Sequence, residues 1–251
     1  MQVSKHDNGR FCWAELSTSD GPGAKAFYTA LFGWEAVDNP MGPDMVYTML
    51  KLNGENAGAL YQDNSGKAPP HWGAYISVDD ADASAARAKE LGGTVLMGPM
   101  DVMEHGRMAV VQDPTGAVFC TWQPKNHIGY GVINEPGSVC WNELATRDTV
   151  AATAFYTGLF GYATKQSEMP MPYTEFQLDG KSIAGMMGMG PQMEGVPPHW
   201  MIYFTVANCG ETFEKAQSLG AQPLVPPMDI PGVGKMAVMK DPQGAPFAFV
   251  D

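Results

Sequence analysis

Two identical tetrapeptides, PPHW at 69–72 and at 197–200, set a histidine behind a pair of prolines twice in one chain. An imidazole held in that way can ligate a metal, contact a substrate, or bond a backbone carbonyl beside the prolines. For His71 and His199 the carbonyl bond is the first expectation, substrate contact the second and metal ligation the last. A second repeated group is the Trp-x-Glu of CWAEL at 12–16 and CWNEL at 140–144. Side chains alternate along a strand, so Trp13, Glu15 and Ser17 share one face, as do Trp141, Glu143 and Ala145. A carboxylate beside an indole in a partly dry groove has a raised pKa, which suits a general base or a hydrogen-bonding anchor. The competing expectation is an ordinary ion pair. Arg107 and Lys235, which follow equivalent glycines, are the partners to suspect, and either could instead hold an anionic ligand.

These residues recur because the chain is a tandem repeat. FCWAELSTSD at 11–20 returns as VCWNELATRD at 139–148, and AFYTALFGW at 26–34 as AFYTGLFGY at 154–162. The offset is 128 residues for Trp13 and Trp141, for His71 and His199 and for Asp113 and Asp241, and it slips to 126 for Tyr47 and Tyr173. Two homologous domains follow, at 1–124 and 138–251, joined by a Gly/Pro-punctuated linker at 125–137.

Within each repeat RFCWAELST and its copy alternate like half-buried strands. Asp20 with Pro22, and Asp148, read as helix starts, with Gly33 and Gly161 as stops. Asn53-Gly54 is a hairpin turn signal. HWGAYISV, DADASAARAKELGG and three further strands restart the order. Each repeat is thus strand, helix and three strands performed twice, an α+β chain of four βαβββ modules. Helices cover one face of such a sheet and leave a concave face for a ligand.

Acidic residues outnumber basic ones, 27 to 15, for a net charge of −12, which disfavours nucleic acid and anionic membranes as partners. Neither a signal h-region nor an apolar run of membrane-spanning length is present, so the expected location is the cytoplasm. Four separated cysteines without CxxC spacing read as reduced structural thiols. P-loop, HExxH, GxSxG and Rossmann patterns are absent.

The module order, with FYTALFGW after the first helix and DPTG or DPQG before the last strand, resembles the vicinal oxygen chelate superfamily. That family includes glyoxalase I, extradiol dioxygenases and bleomycin- and fosfomycin-resistance proteins. The resemblance covers the whole chain, once per repeat, and is greatest to tandem bacterial glyoxalase-like proteins. It implies concave mixed sheets and, in metal-dependent members, ligands on the first, fifth and last strands. Those positions fall here on Trp13, Gly73 and Cys120, and on Trp141, Met201 and Ala248, so neither repeat retains the triad and no metal cofactor is expected.

The same resemblance turns the Trp-x-Glu face toward the cleft. Parity adds Tyr75, Cys120 and Trp122 to the first cleft, and Met201, Tyr203 and Thr205 to the second. His71 and His199 fall at the cleft mouths. The loop methionines Met186, Met187, Met189 and Met193 read as a lid over the second cleft.

Three functions fit. The first is metal-independent binding of a small, largely apolar or aromatic metabolite in each cleft, with Glu15 and Glu143 as base in a lyase, isomerase or hydroxylase type of reaction. The second is sequestration without chemistry, as in bleomycin resistance. A divalent-metal lyase or dioxygenase with displaced ligands such as Glu15, His71 and Asp113 is the third. Module pairing within or across repeats, and a monomer or a homodimer, both remain compatible with the sequence.

Overall fold

The computed structural model describes residues 1–43, 45–167 and 172–251. The first module runs β1 (Phe11–Thr18), α1 (Gly21–Phe32), β2 (Glu35–Gly42), β3 (Met45–Leu52) and β4 (Glu55–Gln62). The second runs β5 (His71–Ser77), α2 (Ala81–Glu90), β6 (Thr94–Val102), β7 (Gly106–Gln112) and β8 (Val118–Pro124). The second half repeats this with β9 (Val139–Thr146), α3 (Thr149–Phe160), β10 (Ala163–Gln166), β11 (Tyr173–Leu178) and β12 (Lys181–Gly188). It closes with β13 (His199–Thr205), α4 (Cys209–Ser218), β14 (Gln222–Ile230), β15 (Gly234–Lys240) and β16 (Pro246–Val250).

Local chemistry explains the boundaries. The Asp20 carboxylate accepts from Gly23 N at 3.0 Å and Asp148 from Ala151 N at 2.9 Å, so each helix that follows starts on a capped turn. Asn53-Gly54 joins β3 to β4 with both residues at positive φ, as a two-residue hairpin requires. Strand β2, EAVDNPMG, is exposed along its whole length and pairs with β3 alone, so Pro40 withholds no ladder hydrogen bond that a second neighbour would need.

Modules pair within each half. One mixed eight-stranded sheet has the order β2-β3-β4-β1-β5-β8-β7-β6 and the other β10-β11-β12-β9-β13-β16-β15-β14. The fold is therefore α+β, with two tandem domains. Their helix-bearing faces meet in one continuous core. Phe204 stands 4.9 Å from Phe32 and 5.4 Å from Trp72, and Phe119 stands 5.6 Å from Tyr156, ring centre to ring centre.

Polar groups cross this junction reciprocally. Tyr28 on α1 donates to Asp241 Oδ2 and Tyr156 on α3 donates to Asp113 Oδ2, each at 3.0 Å. Each tyrosine oxygen also accepts from an indole of its own half, Trp72 or Trp200, at 2.9 Å. All four cysteines are free thiols, and no helix among the described residues is long and apolar enough to cross a membrane.

Candidate functional site

Register builds the concave faces. On the first sheet Trp13 lies opposite Tyr75, and Tyr75 opposite Cys120, while Ser77 lies opposite Trp122. On the second sheet Trp141 lies opposite Tyr203, Tyr203 opposite Ala248, Glu143 opposite Met201, and Thr205 opposite Val250. Opposed residues share a sheet face, so Trp13, Glu15, Tyr75, Cys120 and Trp122 line one concavity and Trp141, Glu143, Met201 and Tyr203 the other.

Each concavity holds one carboxylate clamped by two phenols. Tyr47 donates to Glu15 Oε2 at 2.8 Å, and Tyr75 donates to Glu15 Oε1. Tyr173 and Tyr203 donate to Glu143 Oε2 and Oε1 at 2.8 and 2.9 Å. The chain of donors extends one step further, from Trp13 Nε1 to Tyr47 at 3.2 Å and from Trp141 Nε1 to Tyr173 at 2.9 Å. In the second domain Tyr173 crosses directly over Gly185 of β12. A Cβ there would fall 1.8 Å from the tyrosine hydroxyl, so the absent side chain lets the phenol reach the carboxylate.

Tyr47 and Tyr173 were not singled out by the strand pattern, because they sit two strands from Glu15 and Glu143 in the stretch where the repeat offset slips. Their recurrence at one equivalent place was the available signal.

Among the described residues no cation pairs with either glutamate. Burial pushes both carboxyls above the ordinary range, and the phenol hydrogen bonds only partly oppose it. Burial and the nearby carboxylates push Tyr47, Tyr75, Tyr173 and Tyr203 up as well, so the phenols remain donors. Burial, then Glu15, raise Cys120 too, leaving it a thiol and a poor nucleophile.

Because the folded glutamates hold their protons more tightly than the unfolded ones, stability should fall as pH climbs from about 4.5 through the raised folded values, and the penalty should stay in full above them. Glu15→Gln and Glu143→Gln should each flatten that descent and melt no lower than the parent at pH 8. Melting curves from pH 4 to 9 test this. An unchanged slope in the double variant would contradict it.

Several expectations need correction. Arg107 does not meet Glu15. It lies opposite Gln123, on the other face from Met108 and Trp122, and forks onto Asp82 of α2 at 2.6 and 2.9 Å. Lys235 lies opposite Asp229, next to Met236 of the concave face, so alternation turns it toward the helix side. Its Nζ stands 4.0 Å from Asp229.

Asp113 is engaged by the turn it closes. Its Oδ1 accepts from the backbone N–H groups of Thr115, Gly116 and Ala117, and Oδ2 from Tyr156, so no ligand set of Glu15, His71 and Asp113 assembles. Met186 is buried in the core and Met187 lies on β12, which leaves only Met189 and Met193 in the loop, where Arg147 contacts both.

The histidines do bond the prolines' carbonyls: His71 Nδ1 to Pro69 O and His199 Nδ1 to Pro197 O, both at 2.9 Å. A carbonyl only accepts, so Nδ1 carries the proton. His71 lies opposite Ser17 and His199 opposite Ala145, one step beyond each glutamate toward the strand end.

The family's metal positions, Trp13, Gly73 and Cys120 or Trp141, Met201 and Ala248, offer an indole N–H, a thioether, a buried neutral thiol and two residues without a donor atom. The carboxylate beside them has both oxygens occupied by phenols. Among the described residues no three His, Cys, Asp or Glu side chains gather as a metal-binding group. This donor set does not fit a divalent ion.

The two clefts also differ in cover. Linker residue His127 stands 4.6 Å from the Trp13 ring and 5.8 Å from Trp122, and Tyr130 stands 5.5 Å from Trp13. Trp122 Nε1 donates to His127 O at 2.8 Å. Burial lowers His127 to about 4, so it lies there as a neutral, apolar-facing ring. Under this strap Trp13 is 3% exposed and Trp122 5%, whereas Trp141, the counterpart of Trp13 in the second domain, remains partly exposed. The strap was not foreseen, since its residues read only as a connector.

Comparison with known proteins agrees with this geometry. The model of the Glyoxalase/Bleomycin resistance protein/Dioxygenase superfamily matches residues 10–121 and 128–249. A Mycobacterium tuberculosis protein named "Putative glyoxylase CFP32" is 41% identical, over 98% of this chain and 96% of its own length. The anthracycline biosynthesis protein DauV of a Streptomyces species is 34% identical, over 97% and 93%. The fold matches that of the Mn(II)-bound glyoxalase from Novosphingobium aromaticivorans, with a TM-score of 0.68 and 13% identity over 96% of this chain and 81% of that one. It also matches the 2,3-dioxygenase LapB from Pseudomonas sp. KL28, with a TM-score of 0.64 and 13% identity over 97% and 92%. Matched once in each repeat, the chain belongs to the Glyoxalase/Bleomycin resistance protein/Dioxygenase superfamily.

Proposed function

We propose that the protein binds a small, largely aromatic metabolite on its second concave face and acts on it, without a metal, through the Glu143 carboxylate. The observation that carries this reading is the Trp–Tyr–Glu–Tyr hydrogen-bond chain, built identically in both domains beside the positions where metal-dependent relatives place their ligands. A carboxyl raised by burial and held by two phenols is suited to exchange a proton with a bound ligand.

The partly exposed Trp141, with Met201 and Met236 beside it, offers an adaptable surface on which a planar ring stacks. The first cleft, strapped by His127 and Tyr130, is the structural copy. The name of the 34% identical Streptomyces relatives, anthracycline biosynthesis protein, fits an aromatic polycycle as the ligand class.

Tryptophan fluorescence titration with planar hydroxyquinones tests the binding. Saturable quenching should persist in EDTA, and Trp141→Ala should weaken it at least about tenfold, the size of one lost aromatic contact, while Trp13→Ala leaves it within about threefold. Deuterium uptake by the bound ligand in D2O should vanish in Glu143→Gln. Binding without uptake would leave a sequestration protein, and loss of binding in EDTA would overturn the metal-free reading.

A further inference from the structure

The two concave faces carry different chemistry on the bank beyond their glutamates. On the second sheet the register runs Lys165, Glu175, Gly185, Glu143 across β10, β11, β12 and β9, each residue opposite the next. The same row of the first sheet reads Val37, Met49, Ala59, Glu15. Opposed residues share a sheet face, so Lys165 and Glu175 stand on the concave side with Glu143, where the first domain offers only apolar side chains.

This charged pair is neither buried nor closed. The Glu175 side chain is 19% exposed and that of Lys165 60%, and Lys165 Nζ stands 3.9 Å from Glu175 Oε1, beyond hydrogen-bond reach. Ser182 Oγ donates to the other oxygen, Oε2, and holds the carboxylate in place. So open an ion pair contributes little to stability, and its place on the concave face is left to be explained by what it meets there.

Tyr173 lies over Gly185 and floors the gap between the two carboxylates. At about 4.8 Å between neighbouring strands, Glu175 is roughly 10 Å from Glu143 across that floor, the length of about three fused rings. A planar ligand set over Trp141 and Glu143 therefore reaches the pair with its far end. The opposite charges cancel, so the bank favours neither an anion nor a cation. A single oxygen about 2.8 Å from both atoms closes a triangle on the gap, accepting from the ammonium and donating to the carboxylate. An alcohol does both at once.

We propose that Lys165 and Glu175 set the specificity of the second cleft, and that its aromatic ligand carries an alcohol hydroxyl, held between them, roughly 10 Å from the atom that Glu143 addresses. This assignment rests on the Glu143 reading, and the two can fail separately.

Tryptophan fluorescence titration with aloe-emodin and chrysophanol tests it, since these dihydroxyanthraquinones differ only in a hydroxymethyl against a methyl group. The parent should bind aloe-emodin at least about fivefold more tightly, the size of a net hydrogen bond to a charged group. Glu175→Met, which installs the first domain's residue, should bring that ratio to about one, and Lys165→Val should bring it to about two. Lys165 is exposed, so its variant carries the test should Glu175→Met not fold. Equal affinities in the parent, or an unchanged ratio in a folded variant, would overturn the assignment and leave the Glu143 reading standing. Saturable quenching by neither compound would sink both.

Discussion

Asp113→Ala and Asp241→Ala should each lower the melting temperature by roughly 6–20 °C, the largest loss expected from any single change in this chain. The figure follows from what each carboxylate holds. Asp113 is 3% exposed and accepts three backbone N–H groups of the DPTG turn through one oxygen and the Tyr156 hydroxyl through the other. Asp241 is 2% exposed and accepts the backbone N–H groups of Gln243 and Ala245 through Oδ1 and the Tyr28 hydroxyl, across the domain junction, through Oδ2. Truncation leaves a buried phenol and a buried turn without acceptors, and removing one partner of such a network costs about 3–5 kcal/mol.

Tyr28→Phe and Tyr156→Phe lose only the crossing bond and an acceptor for Trp72 or Trp200, so about 1–2 kcal/mol each is expected. A double-mutant cycle on Asp113 and Tyr156 should show strong coupling. Because the core is continuous across the junction, both domains should melt in one transition in every variant. An Asp113→Ala protein that melts with the parent would remove the turn from its place as the junction's hub.

The second large effect is expected at Gly129. Its φ is +105°, and a Cβ there would lie 2.0 Å from Cys12 O, the carbonyl that accepts from Tyr130 N at 2.7 Å. The clash is with backbone at the buried start of β1, which cannot yield as a flexible side chain would. Gly129→Ala must therefore lift the strap from the first concave face, with backbone strain and lost contacts together costing about 2–4 kcal/mol. Trp13 and Trp122 then gain water, so their emission should shift to the red and acrylamide should quench them more readily. The first cleft should also begin to take the ligand proposed for the second. Unchanged emission and stability would mean that the strap does not seal that cleft.

The sequence by itself determined the duplication, the four modules and the helix and hairpin signals, because each rests on local chemistry: Asp20 and Asp148 caps, the Asn53-Gly54 turn, and period-two alternation in β1 and β9. Alternation also put Trp13 and Glu15, and their copies, on one strand face, and the family resemblance turned that face and Tyr75 toward the cleft. The same local rule, applied to β7 and β15, would have turned Arg107 and Lys235 to the helix face, where Asp82 and Asp229 hold them.

Tertiary structure alone decided the rest. Tyr47 and Tyr173 reach their glutamates from two strands away, a distance in sequence that no local pattern spans. Asp113 and Asp241 look like exposed turn residues until the opposite domain supplies a buried tyrosine. The linker's composition describes a connector, and only its path across Trp13 makes it a cover. In each case the deciding contact joins segments far apart in the chain, so its energy belongs to packing and burial, and the sequence carries it only as residues whose partners are not yet named.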